Sequence, residues 1–348
     1  MKISKFCACL AVCLAALAAA GCGNAVGENT AQGMKQIGEM DYEGALASFE
    51  AAALNKEDMQ MVYRGQGIAC IGMTDYENAA AYLEKALALS DARIDQMDFD
   101  INYYLATAYY RGGQIDRAVA VYQAITDLRP KEKDAWYLKG TLELEQGKVD
   151  AAREDFEQAV SADKSDYDML INIFISCRKY GHEELGAGYL QTVLGDESLK
   201  LSDYDKGRMS FYLGDYETAR LCLEKVKDAR GADAVTLLGQ SYENLGDYNY
   251  AASVYSTWLE TRQQDAEIYN QLGLCKLTVG EYEAALQAFQ AGLAMEGNNV
   301  MQSLRFNEIV AYEYLGRFDE AKVAMQQYLS LYPDDEKAQR ENVFLQTR

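Results

Sequence analysis

The sequence offers few side chains that combine into a catalytic or metal-binding site. His182 is the only histidine, and it lies at a predicted turn, so neither a zinc site nor a histidine-dependent triad is indicated. Two pairs of neighbouring carboxylates, Glu183-Glu184 and Asp334-Asp335, lie near predicted helix starts, where acidic groups stabilise the helix dipole. Acid–base catalysis needs two carboxylates that face each other across a cleft. Carboxylates on adjacent residues do not face each other in this way. We therefore expect a protein that is not an enzyme, with no cofactor and no metal.

The cysteines are the remaining reactive side chains. Three lie near the N-terminus, and Cys22 directly follows a stretch of small residues. The other four are far apart and have no C-x-x-C spacing, so neither a disulfide nor a metal site is indicated. We expect each of them to be a buried free thiol that fills space inside a helix pair. These four are Cys70, Cys177, Cys222 and Cys275.

The N-terminal segment has the pattern of an export signal. Two lysines precede an apolar run that ends in small residues, which is the order found in a secretory signal peptide. The Ala-Ala-Gly-Cys ending at residues 19–22 resembles the lipobox of bacterial lipoproteins. That resemblance implies a signal peptide over residues 1–21, cleavage before Cys22 and a lipid on its sulfur. The alternative is ordinary cleavage after Ala20, which would release a soluble secreted protein.

This N-terminus also predicts the location of the protein. Residues 22–29 would be the lipidated cysteine and a short tether, which holds the folded part close to the membrane surface. We expect a membrane-anchored lipoprotein on the extracytoplasmic side of a bacterial cell envelope. The formal net charge of -21 at pH 7 argues against nucleic acid as a partner, because an acidic surface repels phosphate groups.

A repeat runs through most of the chain and must position any binding residues. A small residue recurs at intervals of 32 to 39 residues, and a large apolar residue follows four positions later. The small residues are Ala45, Ala79, Ala118, Ala152, Gly186, Ala219, Ala251, Ala285 and Ala321. The pattern predicts helix pairs whose backbones approach closely at the small residue. One such pair does not bury its own apolar faces, so it needs neighbours of the same kind.

The period and the pattern resemble the tetratricopeptide repeat (TPR). Its opening Trp and Gly, its first-helix Tyr and its closing Pro all have counterparts here. They are Trp136, Gly140, Tyr109, Tyr242, Pro130 and Pro333. The resemblance implies an all-α fold, a right-handed superhelical α-solenoid of about nine TPR helical hairpins plus a C-terminal cap helix. We expect the array over residues 30–333 and the cap helix over residues 334–348.

In this family the first helices of successive repeats line a concave groove that holds peptides or protein segments. Carried over by repeat position, the partner-groove candidates are Arg64, Tyr103, Tyr110, Arg111, Tyr137, Arg178, Lys179, Arg208, Phe211, Tyr212, Asn270, Phe306 and Tyr314. Aromatic residues and arginine are enriched at the energetic centres of protein interfaces. Each candidate also has a second interpretation, in which its side chain only packs against the next repeat.

Together these features predict a lipid-anchored scaffold that mediates protein–protein interactions at the bacterial cell envelope. Its partner would be a protein or peptide bound in the groove, or on the convex face, in assembly, secretion or the recruitment of cell-wall complexes. The alternative function is a ligand-capture lipoprotein that binds glycan or peptide in the aromatic groove. Glycan-capturing lipoproteins with this scaffold carry large insertions between repeats, whereas the repeat spacing here leaves only short connections.

Overall fold

The computed structural model describes residues 26–91, 94–261, 265–295 and 297–348. In this part of the chain nineteen α-helices follow one another without a strand, which confirms the predicted all-α fold. Within the same ranges, no helix combines the length and the apolar character needed to cross a membrane. The signal peptide and Cys22, on which the lipoprotein prediction depends, lie outside the described residues.

The helices are α1 (Glu28–Gly38), α2 (Tyr42–Leu54), α3 (Met59–Gly72), α4 (Tyr76–Ala88), α5 (Gln96–Arg111), α6 (Ile115–Leu128), α7 (Lys133–Glu145), α8 (Val149–Ala162), α9 (Tyr167–Lys179), α10 (Glu183–Gly195), α11 (Asp203–Tyr212), α12 (Tyr216–Leu223), α13 (Ala232–Asn244), α14 (Tyr248–Thr261), α15 (Ala266–Thr278), α16 (Tyr282–Leu293), α17 (Met301–Tyr314), α18 (Phe318–Leu331) and α19 (Glu336–Leu345). Odd-numbered helices up to α17 are the first helices of hairpins, and even-numbered helices are the second.

The chain divides into two compact units, Met1–Gly186 and Ala187–Arg348. In the first unit the hairpins α1–α2, α3–α4, α5–α6 and α7–α8 are followed by α9, which packs on α7 and α8. In the second unit the hairpins α11–α12, α13–α14, α15–α16 and α17–α18 follow one another, and α19 packs on α18. The second helix of each of these hairpins also contacts the first helix of the next one in its unit. Each unit is therefore an α-solenoid of helical hairpins, and α19 is the predicted cap helix.

A close contact between a glycine and a large ring holds the two helices of a hairpin together. A Cβ atom on Gly273 of α15 would lie 2.3 Å from Cε1 of Phe289 on α16, and one on Gly239 of α13 would lie 2.2 Å from Cζ of Tyr255 on α14. Both rings are fully buried. The missing side chain on the first helix thus makes room for the ring of the second. The repeat alanine on the second helix is fully buried as well, as at Ala285.

The turn inside each hairpin combines a left-handed residue with a helix cap. The residue before the second helix's capping position has a positive φ, for example 61° at Met40 and 83° at Gly280. Glycine fills most of these turns because it adopts this conformation without strain. Asp41 Oδ1 then accepts a hydrogen bond from the backbone N–H of Gly44 at 3.0 Å. This cap satisfies a free donor at the start of α2, and the aspartates at the same place in two other repeats, Asp75 and Asp215, cap α4 and α12 in the same way.

The start of α1 is held by a carboxylate from the next hairpin. Glu57, between α2 and α3, accepts hydrogen bonds from the backbone N–H groups of Asn29 and Thr30 at 3.1 and 2.9 Å. The Thr30 hydroxyl donates to the same carboxylate at 2.6 Å. These hydrogen bonds, led by that of the Thr30 side chain, lower the pKa of Glu57 to about 2. A Cβ atom at residue 27 would lie 2.0 Å from Glu57 Oε2, so a larger residue there would have to displace the carboxylate.

The glycine–ring contact leads to a prediction on stability in the second unit. Gly273→Ala should lower the free energy of unfolding by about 1–3 kcal/mol, because the new Cβ forces the buried Phe289 ring out of place. Gly188→Ala is the matched control, since this exposed helical glycine has open space around it. The control should raise the free energy of unfolding by about 0.5–1 kcal/mol. Urea unfolding followed by circular dichroism measures both, and equal effects of the two substitutions would contradict the packing argument.

Candidate partner-binding face

Several groove candidates of the first unit meet at the last turns of α5, α7 and α9. The Tyr110 hydroxyl donates a hydrogen bond to Glu145 Oε2 at 2.9 Å. The Tyr180 hydroxyl, directly after α9, donates to the same oxygen. Lys179 Nζ in turn donates to the Tyr180 hydroxyl at 2.8 Å. One carboxylate therefore links the ends of three successive first helices. We name this surface the helix-end patch; its residues are Tyr110, Arg111, Glu145, Arg178, Lys179 and Tyr180.

Two residues of the helix-end patch were not among the predicted candidates. Glu145 and Tyr180 form its centre, but Glu145 is neither aromatic nor basic, and Tyr180 lies one residue beyond the end of its helix. A signal was present for Glu145, because it occupies the same place in its repeat as Arg111 and Lys179 do in theirs. A carboxylate flanked by cations in neighbouring repeats indicates a contact across the stack. Tyr180 follows the last residue of α9 and had no comparable signal.

The tyrosines of the patch remain hydrogen-bond donors at neutral pH. Burial raises the pKa of Tyr110 above its ordinary value of 10, and the hydrogen bond to Glu145 raises it further. The same two causes, in the same order, raise the pKa of Tyr180. Both hydroxyls are thus kept protonated toward a shared carboxylate. Because both hydroxyls donate hydrogen bonds to Glu145, the two rings are held on either side of this carboxylate.

Cations lie at the C-terminal ends of two of these first helices. Arg111 is the last residue of α5, and Arg178 and Lys179 end α9, where cations complement the helix dipole. All three side chains are exposed. The opposite ends of the helices carry acids, with Asp134 in the first turn of α7 and Asp168 in the first turn of α9. The helix-end patch is therefore a group of exposed cations in a chain with a net charge of -21.

The other candidates of the first unit mainly join neighbouring hairpins. Arg64 on α3 is only 9% exposed and forms an ion pair with Asp100 on α5. Tyr103 is half-buried, with its ring centre 6.0 Å from that of Tyr122. Tyr137 is half-buried too. These side chains shape the surface beside the helix-end patch, but they present less area to a partner than its cations do.

The three candidates on α11 are engaged within their own unit. The Arg208 guanidinium forms an ion pair with Asp205 at 2.8 Å on the same helix. Phe211 makes edge contacts with Tyr212 and Tyr216, each with ring centres 5.6 Å apart. The third candidate here, Tyr212, therefore belongs to an aromatic cluster at the α11–α12 turn. This cluster fixes the turn and leaves only part of each ring accessible.

The remaining candidates of the second unit lie on α15 and α17. Asn270 is 9% exposed and accepts a hydrogen bond from the Asn307 side chain at 2.9 Å, which joins the two helices. Phe306 is also 9% exposed. Tyr314 differs, because its side chain is 57% exposed and its ring stacks on Tyr282 with centres 4.9 Å apart. Tyr314 is thus the candidate of this unit that offers a partner the largest surface.

Two surface cavities lie away from the helix-end patch. A cavity of about 220 Å³ in the first unit is lined by the apolar side chains of Leu87, Ile94 and Phe99, among others. A cavity of about 290 Å³ in the second unit is lined by Tyr242, Trp258 and their neighbours. Among the described residues, no group of three or more histidine, cysteine or acidic residues is arranged to hold a metal ion.

The four cysteines of the array are buried free thiols, as their spacing predicted. Burial raises the pKa of Cys70 and of Cys177 to about 11, which keeps both thiols protonated and unreactive at neutral pH. The cysteines therefore contribute packing and no nucleophile to the candidate face.

The fold and the patch together define the class of protein. Stacked helical hairpins that present exposed aromatic and basic side chains form an α-solenoid whose function is to bind proteins. The sequence pattern described as Tetratricopeptide repeat matches residues 66–93, 103–167, 236–300 and 306–335, more than half of the chain. The chain belongs to the tetratricopeptide-repeat family.

Individual relatives are distant. A curated relative, the peroxisomal targeting signal receptor of Kluyveromyces lactis, is 22% identical over 227 residues, and the match covers 64% of this chain and 40% of that protein. A tetratricopeptide repeat protein from Parabacteroides merdae is 14% identical with a TM-score of 0.46, over 73% of this chain and 98% of that one. PilF of Pseudomonas aeruginosa is 15% identical with a TM-score of 0.42, over 70% and 96% of the two chains.

The shared carboxylate predicts how the first unit responds to pH. Because the pKa of Tyr110 and that of Tyr180 are raised by folding, their hydrogen bonds stabilise the fold fully below pH 10. This contribution is lost as the pH rises through the higher folded values. Tyr110→Phe with Tyr180→Phe should lower the free energy of unfolding by about 1–3 kcal/mol at pH 7 and flatten its decline above pH 10.

Urea unfolding from pH 7 to 11 measures this effect. Tyr250→Phe is the control, because Tyr250 is 61% exposed on α14 and its ring contact with Tyr242 survives the substitution. The control should leave both the stability at pH 7 and its pH dependence unchanged. A double variant that declines above pH 10 as steeply as the wild type would show that Glu145 does not hold the two hydroxyls.

Proposed function

We propose that this protein is a lipid-anchored scaffold of the bacterial cell envelope that binds a protein partner at the helix-end patch. The observation that carries the proposal is the set of exposed cations, Arg111, Arg178 and Lys179, beside the half-buried rings of Tyr110 and Tyr180. Rings and guanidinium groups of this kind supply most of the binding energy at protein interfaces. The partner assembles, secretes or builds envelope components, and the scaffold holds it in place.

The charges of the patch define the chemistry of the partner segment. The chain as a whole is acidic, so it repels acidic proteins everywhere except where cations are concentrated. An acidic segment with one or two apolar side chains matches the helix-end patch, because carboxylates pair with Arg178 and Lys179 while apolar groups cover Tyr110. The hydrogen bonds at Glu145 hold the rings in place before binding, which lowers the entropy lost on association.

The anchor is the second part of the proposal. The signal peptide is cleaved off before Cys22, and a lipid is attached to the Cys22 sulfur, as the lipobox resemblance implies. Glu57 fixes the first helix at Asn29 and Thr30, so few residues separate the lipid from the folded array. A scaffold held this close to the membrane surface meets partners that are themselves at the envelope.

The partner-binding proposal is tested by crosslinking in cells followed by mass spectrometry. We expect the full-length protein to capture a small set of envelope proteins. The variant Tyr110→Ala with Arg178→Ala should lower this capture about tenfold or more, because it removes a ring and a cation from the patch. Lys164→Ala is the control, since Lys164 is an exposed cation at the α8–α9 connection and lies outside the patch.

The outcomes separate the possible functions. Capture that is lost in the patch variant and kept in the control supports the scaffold. Equal capture by all three proteins would indicate that the partner binds another face, such as the one formed by the second helices. If no protein is captured, ligand capture becomes the better proposal, and binding of glycans and peptides to the purified protein is the next measurement.

Lipidation is tested separately with a radiolabelled fatty acid. The wild-type protein should incorporate the label and sediment with membranes. Cys22→Ser should lose both properties, because serine has no sulfur to form the thioether bond to the lipid. Cys70→Ser is the control, since this buried thiol belongs to the array. An unlabelled wild-type protein that appears in the medium would favour cleavage after Ala20 and a soluble secreted product.

A further inference from the structure

Three ionisable side chains lie buried together in the fourth hairpin. Lys139 and Glu143 are one turn apart on α7, and Asp155 faces them from α8. Their exposed fractions are 8%, 7% and 3%. Lys139 Nζ lies 2.8 Å from Asp155 Oδ1 and 4.0 Å from Glu143 Oε1. The face of the Trp136 ring is a further neighbour, with its centre 5.2 Å from Nζ.

The charges of this cluster are poorly compensated. Glu143 Oε2 and Asp155 Oδ2 are both buried, and neither accepts a hydrogen bond from an N–H group or a hydroxyl in the described part of the chain. Burial, and then the side-chain hydrogen bond that protonated Glu143 makes with Asp155, raise the pKa of Glu143. One ammonium therefore faces two carboxyl groups that have lost their hydration. Buried ion pairs with unsatisfied oxygens gain little over neutral groups of the same size, because the cost of desolvation offsets their attraction.

We propose that Lys139 and Asp155 are joined by an intramolecular amide bond, with Glu143 as the group that moves the protons. The geometry places the nitrogen of Lys139 2.8 Å from Oδ1 of the carboxyl group that it would attack, and the packed hairpin holds the two groups together. The amide replaces a buried ion pair by a neutral group. The low dielectric of the hairpin interior favours that product, and the water released leaves for the solvent.

The reaction balances without an external reagent. Lys139 begins as an ammonium and Asp155 as a carboxylate. One proton passes from Nζ through Glu143 to the Asp155 carboxylate, and the neutral amine then attacks the Asp155 Cγ, forming the N–C bond. Glu143 takes a second proton from the nitrogen and gives it to the departing hydroxyl. The C–O bond breaks and one water is lost, which leaves one hydrogen on the amide nitrogen and Glu143 in its starting state.

The same hairpin region contains a lysine that serves as an internal control. Lys133 Nζ lies 2.7 Å from both Asp163 Oδ2 and Asp166 Oδ2, so it has two carboxylate partners at a similar distance. These three side chains are about one-quarter to one-third exposed, however, and water solvates them. An ion pair in water does not gain from conversion to an amide. Burial is therefore the feature that distinguishes Lys139 from Lys133.

The crosslink would tie α7 to α8 beneath the helix-end patch. Glu143 lies two residues before Glu145, the carboxylate that holds Tyr110 and Tyr180. A covalent bond in this hairpin limits how far the two helices can separate when the array is pulled or partly unfolded. The inference stands on the buried cluster alone and does not depend on the proposed function.

The test is amine labelling of the full-length wild-type protein. The purified protein is incubated at pH 7, denatured, acetylated at its free amines and digested for mass spectrometry. We expect Lys133 to be acetylated and Lys139 to be unlabelled. The peptides that contain Lys139 and Asp155 should appear as one linked species, lighter than their sum by one water molecule. Acetylation of Lys139 to the same extent as Lys133 would overturn the proposal.

Variants identify the participating groups. Lys139→Arg should abolish the linked species, and its intact mass should exceed that of the wild type by one water beyond the change due to the substitution. Glu143→Gln keeps the shape of the side chain but removes its acid–base function, so most Lys139 should then be acetylated. A linked species that forms as completely in Glu143→Gln as in the wild type would overturn the role given to Glu143.

Discussion

The contact between a glycine of the first helix and a large buried side chain of the second is the constraint on which the whole array depends. At Gly273 and Gly239 the backbone approaches the rings of Phe289 and Tyr255 so closely that no Cβ atom fits. A first-helix glycine packs in this way against a large buried side chain in six of the described hairpins, and there it sets the separation of the two helices. Because the contact recurs along the chain, each hairpin presents the same apolar faces to its neighbours, and stacking buries them.

The same regularity explains why binding residues and packing residues are hard to separate in this fold. Equivalent positions of successive first helices lie side by side, so a side chain that faces a partner can also reach the next repeat. Arg64 forms an ion pair with Asp100 in this way, and Asn270 forms a hydrogen bond with Asn307. At the ends of α5 and α9 the cations Arg111, Arg178 and Lys179 remain exposed beside the carboxylate of Glu145 on α7.

Polar groups inside the hairpins mark the places where the chain departs from the repeat. Glu57 replaces solvent at the start of α1, where two of its four hydrogen bonds satisfy backbone N–H groups that a helix end leaves free and the other two come from the Asn29 and Thr30 side chains. The buried cluster of Lys139, Glu143 and Asp155 is the opposite case, because two of its oxygens lack partners. A repeat protein tolerates such a cluster in one hairpin, since each repeat contributes to stability mainly through its own interior and its nearest neighbours.

The order of residues along the chain was sufficient to predict the fold, the helix caps and the buried thiols, because these features depend on contacts within one hairpin. A small residue, a large residue four positions later and an aspartate at the turn are all readable as local spacing. The candidate site was readable only in part: repeat position singled out Tyr110, Arg111, Arg178 and Lys179, but not the carboxylate at the centre of the patch. Tyr110, Glu145 and Tyr180 lie in three different hairpins, and Lys139 meets Asp155 across two helices. Which side chains meet, and which are left exposed, is decided by the rotation of one helix against the next, and that angle exists only in the packed structure.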